Sequence, residues 1–209
     1  MSSSFLHPFT PPRKTEFLSI VRGEGAVVFD AEGNDYIDGM ASLWYVNVGH
    51  GREDVADAIA AQAKQLAAYH TFDPFTNPPA EELAAKIAEL SPFEHARVFF
   101  GSSGSEAVDT AMKIARIAHR EAGRPERQII VSRERGYHGT NYGGTSIQGI
   151  APNREGFGPL VPGVINVAAD DDEAMKRVFA EHGDEIAAVI TEPVQGASGV
   201  WPAHEGYLS

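Results

Sequence analysis

The chain has 209 residues, of which 43% are hydrophobic and 22% charged, a composition typical of a globular protein and not of a disordered or fibrous one. Its formal net charge of −12 argues against nucleic acid as a partner, and its lack of cysteine excludes disulfides and thiolate chemistry. No apolar run reaches the roughly 20 residues of a membrane span, and the polar start carries no secretory signal, so we expect a cytoplasmic protein without a membrane partner.

A β-hairpin is the first predicted element, after an extended arm that contains several prolines. Strands are predicted at residues 25–29 and 36–38, and a polar Glu-Gly-Asn-Asp stretch between them has turn chemistry. Asp30, Glu32 and Asn34 have the spacing of calcium ligands, but the glycine and the distal glutamate of an EF-hand loop are out of place. We therefore predict a turn here and no metal site.

Two helices are predicted next. Apolar residues recur at helical spacing from Arg52 to Leu66 and again after Pro79, a residue that suits a first helical turn. An apolar run with glycine interruptions, residues 43–51, precedes them and fits no plain amphipathic element. Trp44 in this run has two interpretations, a core residue or the wall of a pocket.

Strands and helices alternate from Arg97 onward. Strands are predicted at residues 97–100, 128–131, 164–167 and 186–190. Helices are predicted after residue 104, within the glycine-rich stretch 136–149, and at 171–182. The acidic run 170–173 is interpreted as the solvated start of the last helix and not as a metal site. This alternation predicts βαβ units around a largely parallel sheet, which is the α/β fold class.

The segment 101–106, Gly-Ser-Ser-Gly-Ser-Glu, predicts a helix start that could hold a phosphate. Free backbone N–H groups at a helix N-terminus carry partial positive charge, and the hydroxyls of Ser103 and Ser105 add donors. Ser103 and Glu106 also have the spacing of a capping box, so a well-capped helix explains the same residues. The segment lacks the Gly-Lys pair of a nucleotide P-loop and the G-x-G-x-x-G of a dinucleotide site, which leaves a small phosphorylated cofactor.

Two further segments follow predicted strands. Tyr137-His138-Gly139 comes after one strand, and Glu192 ends another. Loops at the carboxyl ends of parallel strands line the ligand crevice of such a sheet, where a tyrosine could stack on a flat heteroaromatic ring. Each segment also has a simple structural explanation, a surface aromatic in the first case and a strand-end acid in the second.

Taken together, these motifs resemble those of the class III aminotransferases. The residues that carry the resemblance are Asp38-Gly39, Gly49-His50-Gly51, Ser103-Gly104-Ser105-Glu106-Ala107, Tyr137-His138-Gly139 and Glu192-Pro193-Val194-Gln195-Gly196. Their order and approximate spacing match the family from about Arg22 to the end of the chain. Residues 43–49 resemble the branch that acts on omega-amino acids or on amines with pyruvate.

The resemblance implies an α/β fold of the pyridoxal-phosphate (PLP) dependent transferase fold type I. Residues 1–45 would be an N-terminal arm and a segment of the small domain, and residues 46–209 the first part of the PLP-binding large domain. Family members are typically dimers with active sites at the subunit interface, so we expect a homodimer when the protein is complete.

Roles for particular residues are also implied by the resemblance. Gly104 and Ser105 would bind the PLP phosphate with Ser103 beside them, and Tyr137 would stack on the pyridine ring with His138 nearby. Glu192 would help to place the acid that pairs with the pyridine nitrogen. Trp44, Phe72 and Ala197 would line the substrate pocket.

The family's cofactor-binding lysine and pyridine-pairing aspartate follow the Glu-Pro motif, and the sequence ends at Ser209 before either. None of its five lysines lies in a segment that matches the family's lysine motif. We therefore assign no catalytic residue and expect an incomplete copy that is inactive alone. The intact enzyme would move an amino group from an amine or omega-amino acid to a keto acid such as pyruvate.

Three alternatives remain at this point. The chain could belong to a PLP-dependent aminomutase or decarboxylase of the same class. It could also be a non-catalytic short chain that binds PLP weakly or pairs with a complementary half. The third alternative is an unrelated α/β module that binds another phosphorylated ligand.

Overall fold

The structure, a computed structural model, describes residues 4–208. Contacts divide the chain into two compact units, Met1–Leu90 and Ser91–Ser209. The division predicted between residues 45 and 46 concerns the domains of the family fold and stays a prediction. None of the helices in the described residues is both long and apolar enough to cross a membrane.

A small antiparallel sheet forms the centre of the first unit. Its strands, in spatial order, are β1 (Ile20–Glu24), β2 (Val27–Asp30) and β3 (Asp35–Ile37). The predicted hairpin is confirmed as β2 and β3, with small shifts at the strand ends. β1 was not predicted, because Arg22 and Gly23 interrupt its apolar pattern and most of its side chains are exposed.

Asp30 fixes the hairpin turn. Its side chain is only 5% exposed, and one carboxylate oxygen accepts from the backbone N–H groups of Glu32 at 2.9 Å and Asn34 at 2.8 Å. The other oxygen accepts from Asn34 Nδ2 at 2.9 Å and Tyr36 Oη at 2.8 Å. These donors, the Asn34 side chain foremost, lower the pKa of Asp30 to about 2. The predicted turn is confirmed.

The stability of the first unit should therefore depend on pH through Asp30. Because its folded pKa of about 2 lies below the usual 3.8, the charged carboxylate stabilises the fold above about pH 4, and this contribution is lost as pH falls toward 2. We expect Asp30→Asn to lower the thermal midpoint at pH 7 and the gap to wild type to shrink at pH 3. Asp35→Asn, at an exposed position of β3, is the control. A gap that is equal at both pH values would contradict this role.

Asp38 organises the segment that follows the hairpin. Its Oδ2 accepts from the backbone N–H of Ser42 at 2.8 Å and lies 2.8 Å from His50 Nε2. Between these contacts lies α1 (Ala41–Trp44), a single turn in which all four residues have positive φ angles, from 47° at Ala41 to 81° at Trp44. Left-handed backbone is unfavourable for such residues. The apolar run 43–51 is thus a turn and loop, tied to the hairpin by a carboxylate.

Helices complete the first unit. They are α2 (Glu53–Gln65) and α3 (Pro78–Leu90). Both confirm the helices predicted from apolar spacing, and the acidic residues Glu53 and Asp54 lie in the first turn of α2, where they suit the helix dipole.

The second unit is built on a parallel sheet. Its helices are α4 (Gly104–Glu121), α5 (Tyr142–Ser146) and α6 (Asp172–His182), with a short 3-10 turn at Ala151–Asn153. Its strands are β4 (Ile129–Arg133), β5 (Val164–Val167), β6 (Ile186–Ile190), β7 (Val194–Gln195) and β8 (Trp201–Pro202). β4 lies between β5 and β6 and is parallel to both, while β7 and β8 form a small antiparallel pair. The predicted α/β class is confirmed.

Apolar side chains pack on both faces of this sheet. Ile130 packs with Met112 of α4 on one face, and Val131 packs with Val167 and Ile186 on the other, beneath α6. Successive residues of a strand point to opposite faces, so β4 is buried on both sides. Its carboxyl end is therefore a fixed platform for the loop that follows.

The strand predicted at residues 97–100 is wrong. This segment pairs with no strand among residues 4–208, and Phe99 and Phe100 are 62% and 46% exposed. Apolar character alone does not make a strand, because the backbone N–H and C=O groups also need a neighbour in the sheet. The segment that leads into α4 is irregular for this reason.

Candidate cofactor site

The start of α4 is held by reciprocal capping contacts. Ser103 is the N-cap residue, and its hydroxyl accepts from the backbone N–H of Glu106 at 3.1 Å. Glu106 Oε2 accepts in turn from the backbone N–H of Ser102 at 2.7 Å. The predicted capping pair is confirmed, with the glutamate reaching one residue before the cap. This arrangement fixes the direction in which the first N–H groups of the helix point.

The backbone N–H groups of Gly104 and Ser105 are the free donors of this helix start, since neither has an acceptor among residues 4–208. A Cβ built on Gly104 would meet no atom within 4 Å, so the space beside the first turn is open. The partial positive charge of a helix N-terminus adds to these donors. Space, donors and charge thus fit the phosphate group of a small cofactor.

The loop after β4 lies directly against this helix start. Ser105 Oγ accepts from the backbone N–H of Thr140 at 2.9 Å and lies 3.3 Å from Thr140 Oγ1. Gly139 has a φ of +99°, and a Cβ on it would lie 2.7 Å from Ser105 Oγ. Only glycine allows this approach, which brings Tyr137-His138-Gly139 and the predicted phosphate cradle together.

Glu192 joins the ends of two neighbouring strands. Glu192 itself follows β6. Its Oε1 accepts from the backbone N–H of Tyr137, after β4, at 2.7 Å, and its Oε2 accepts from the backbone N–H of Gly196, directly after β7, at 3.0 Å. Both carboxylate oxygens are therefore used to position loops. The predicted strand-end acid acts on the backbone of Tyr137, the residue predicted to stack on the cofactor ring.

His138 lies beneath this loop with 5% of its surface exposed. Its backbone N–H donates to Gln148 Oε1 at 3.2 Å, and its Nε2 is buried without a hydrogen-bond partner among the described residues. Burial lowers the pKa of His138, and the negative charge of Glu192 opposes that shift only in part. The imidazole is therefore neutral at pH 7.

Two residues that support the loop were missed by sequence reasoning. Gln148 is buried, and its Nε2 donates to the carbonyl oxygen of Gly139 at 3.2 Å. Asp109 Oδ1 accepts from the backbone N–H of Gly144 at 2.9 Å. Asp109 follows Ser105 by one helical turn, which puts both polar side chains on one face of α4. This spacing was the signal in the sequence that could have indicated a role for Asp109. Gln148 left no such pattern.

The other predicted positions are more dispersed. Ala197 is exposed in the turn between β7 and β8. Trp44 and Phe72 belong to the first unit, where they are 60% and 80% exposed. The interpretation of Trp44 as a core residue is therefore wrong, while its role in a substrate pocket, like that of Phe72 and Ala197, stays a prediction.

The family model "Aminotransferase class-III" matches residues 9–209. A putrescine–pyruvate aminotransferase of Pseudomonas aeruginosa is 37% identical over 199 residues, which cover 87% of this chain and 44% of that protein. An omega-aminotransferase of Caulobacter vibrioides is 36% identical in an alignment 229 residues long, which covers 98% of this chain and 51% of that protein.

Solved structures agree with the sequence relatives. The (S)-enantioselective omega-transaminase of Thermomicrobium roseum aligns with a TM-score of 0.92 at 41% identity, over 97% of this chain and 50% of that one. An amine transaminase from an uncultivated Pseudomonas species, solved in its PLP-bound form, aligns with a TM-score of 0.90 at 35% identity, over 97% and 51%. The chain spans about half the length of these relatives. With the family model matched over residues 9–209, this chain belongs to the class III aminotransferases, which are PLP-dependent enzymes of the α/β class.

Proposed function

We propose that this chain carries the phosphate-binding part of a transaminase that moves an amino group from an amine or omega-amino acid to a keto acid such as pyruvate. The observation that carries the proposal is the open start of α4, where two free N–H groups lie beside the Ser105 hydroxyl and against the Tyr137 loop. When bound, PLP supplies a carbonyl group that takes up the amine and a ring that withdraws electrons from it.

In this proposal the first turn of α4 binds the phosphate. The backbone N–H groups of Gly104 and Ser105 donate to it, and Ser103 keeps the turn in place through its cap. Ser105 Oγ accepts from Thr140 N at 2.9 Å, and in this proposal it also accepts from Thr140 Oγ1 at 3.3 Å, which leaves its own proton to donate to a phosphate oxygen. Three donors thus converge on one anion.

Tyr137 and its neighbours hold the ring. The phenol stacks on the flat pyridine face, with its backbone fixed by Glu192 at 2.7 Å. His138, buried and neutral, supports the loop without adding positive charge. The loop is tied to both strand ends, so the stacking surface is set before the cofactor arrives.

Substrate contacts and assembly are the finer part of the proposal. We assign substrate-contacting roles in the complete enzyme to Trp44, Phe72 and Ala197, and residues 46–209 to the first part of the large domain. Relatives described as putrescine–pyruvate and beta-alanine–pyruvate aminotransferases support an amine donor and pyruvate as acceptor. We further propose that the complete enzyme is a cytoplasmic homodimer, for which exposed aromatics such as Phe99 and Phe100 offer contact area.

The lysine that holds the cofactor is not among the five in this chain. All five are exposed, and four of them lie on helices: Lys64, Lys86, Lys113 and Lys176. Within residues 4–208, the side-chain contacts that these lysines make are with Glu89, Glu173 and Phe17, away from the start of α4 and the Tyr137 loop. We therefore propose that the 209-residue chain has no transaminase activity by itself.

Ser105→Ala tests the phosphate cradle. Loss of one hydroxyl donor to a charged phosphate should raise the dissociation constant for PLP about 10- to 100-fold. Equilibrium dialysis with PLP measures this change. Ser102→Ala is the matched control, because only the backbone N–H of Ser102 makes a contact at this site. Equal affinity of Ser105→Ala and wild type, or no binding by wild type, would contradict the proposed site.

Product analysis tests the reaction class. With an amine donor and pyruvate, the complete enzyme should form alanine and the carbonyl compound of the donor in equal amounts. Release of carbon dioxide, or a donor whose amino group has moved to the next carbon, would instead indicate a decarboxylase or an aminomutase. Chromatography of the reaction mixture separates these outcomes.

A further inference from the structure

Arg133, the last residue of β4, is a buried cation without adequate partners. Its side chain is 1% exposed, and none of its three guanidinium nitrogens has a hydrogen-bond partner among residues 4–208. A guanidinium removed from water loses its hydration, and the loss is tolerated only when acceptors replace the water. The surroundings of Arg133 therefore lack an acceptor.

The nearby carboxylate is already shared. Asp170 Oδ1 lies 4.0 Å from Arg133 Nη2, too far for a hydrogen bond, while its Oδ2 accepts from Arg135 Nη1 at 3.1 Å. Two guanidinium groups thus face one carboxylate. The remaining acids on this loop have partners of their own: Asp171 lies near Arg177, and Asp172 contacts His204.

Tyr207 adds a second unmatched donor. Its ring centroid lies 4.6 Å from Arg133 Cζ, a cation–π contact, and its hydroxyl is buried without a hydrogen-bond partner among the described residues. An arginine and a phenol side by side can both donate. Both of them lack an acceptor. A carboxylate is planar and has two acceptor oxygens, so one carboxylate matches both donors.

These groups are separate from the candidate cofactor site. Ile130 faces α4, and Val131 faces α6, so Arg133 shares the face of Val131 by the alternation of the strand. A cleft of about 310 Å³ opens from solvent on this side and reaches Tyr207. Its other lining residues belong mainly to α6: Asp172, Met175, Lys176 and Phe179.

We propose that Arg133 and Tyr207 form a carboxylate-binding site on the α6 face of the sheet. One carboxylate would accept from the guanidinium and from the phenol hydroxyl together. Because three aspartates lie at residues 170–172, the site favours a group with a single negative charge over a dianion. The carboxylate comes either from a small free acid that enters by the cleft or from an acidic side chain of polypeptide that docks on this face. The proposal does not rest on the transaminase function.

Side-chain NMR of the purified protein tests the proposal directly. The Nε–Hε resonance of Arg133 is identified as the one missing from the spectrum of Arg133→Lys. Sodium formate is then added, with chloride compensating to keep the ionic strength constant. If the site takes a free acid, this resonance moves saturably, and Tyr207→Phe weakens formate binding about tenfold by removing one donor. Arg177→Met, which removes a positive charge from the same face, should leave formate binding unchanged.

A scalar coupling across a hydrogen bond, measured before any acid is added, distinguishes the second source. Slow exchange of the Arg133 Hε would not do so, because a side chain that is 1% exposed exchanges slowly through burial alone. If a coupling joins the Arg133 guanidinium to a side-chain carboxylate carbon and persists in Asp170→Asn, an acidic side chain already occupies the site, which also supports the proposal. Two results would overturn it. One is a guanidinium that shows no such coupling and does not respond to formate. The other is a coupling that disappears in Asp170→Asn, because Asp170 would then be the partner.

Discussion

Replacing Gly149 by alanine should destabilise the second unit by about 3 kcal/mol, a large part of the stability of a small domain. The added methyl group would lie 2.2 Å from the carbonyl oxygen of Arg133 and 2.5 Å from the backbone nitrogen of Gly136. The same approach carries two backbone hydrogen bonds, from Gly149 N to Gly136 O at 2.8 Å and from Arg135 N to Gly149 O at 2.9 Å. The neighbours are backbone atoms, so no rotamer change relieves the clash.

Urea unfolding followed by circular dichroism measures this loss. Gly104→Ala is the matched control, because the same methyl group at Gly104 has no neighbour within 4 Å. It should leave the midpoint near that of wild type. A Gly149→Ala midpoint that also stayed near wild type would show that the loop between β4 and α5 moves apart without cost, against the close packing described here.

Glu192→Ala should weaken PLP binding more than any single change in the phosphate cradle. The backbone N–H groups of Tyr137 and Gly196 would both lose a charged acceptor, at about 1.5–3 kcal/mol each. Because Tyr137, the residue proposed to stack on the cofactor ring, would lose this support, we expect the dissociation constant for PLP to rise about 100-fold or more. The midpoint of urea unfolding should fall in the same variant.

Glu192→Gln separates the geometry of this contact from its charge. The amide keeps the shape of the side chain and one acceptor oxygen, so its affinity for PLP should lie between those of wild type and Glu192→Ala. Equilibrium dialysis of the three proteins orders them. If Glu192→Ala bound PLP as wild type does, the tie between the two strand ends would have no part in holding the cofactor.

The sequence predicted best what is local. β5 and β6 have the predicted bounds, because short apolar runs bounded by turn residues carry their own signal. The spacing of Ser103 and Glu106 likewise predicted the start of α4. The error at residues 97–100 arose because a strand depends on a neighbour that a single segment does not contain.

The site was predictable as a set of segments but not as a set of contacts. Three motifs at strand and helix ends pointed to one crevice. The structure joins all three, through the contact of Ser105 with Thr140 and through that of Glu192 with Tyr137. The residues of these two pairs are 35 and 55 positions apart, and no local pattern relates them. The roles of Asp109 and Arg133 depend on long-range contacts of this kind, with Gly144 and Tyr207. Gln148 contacts His138 and Gly139, which are closer in sequence but belong to no regular spacing pattern.

The close packing of residues 134–149, which include α5, has a consequence for laboratory evolution of this protein. A side chain at Gly139, Gly144 or Gly149 would fall within 3 Å of neighbouring atoms, so most random substitutions there should be lost before any activity is screened. The turn that carries Ala197 is exposed, as is Trp44. Libraries should place their diversity at such open positions and leave these three glycines unchanged.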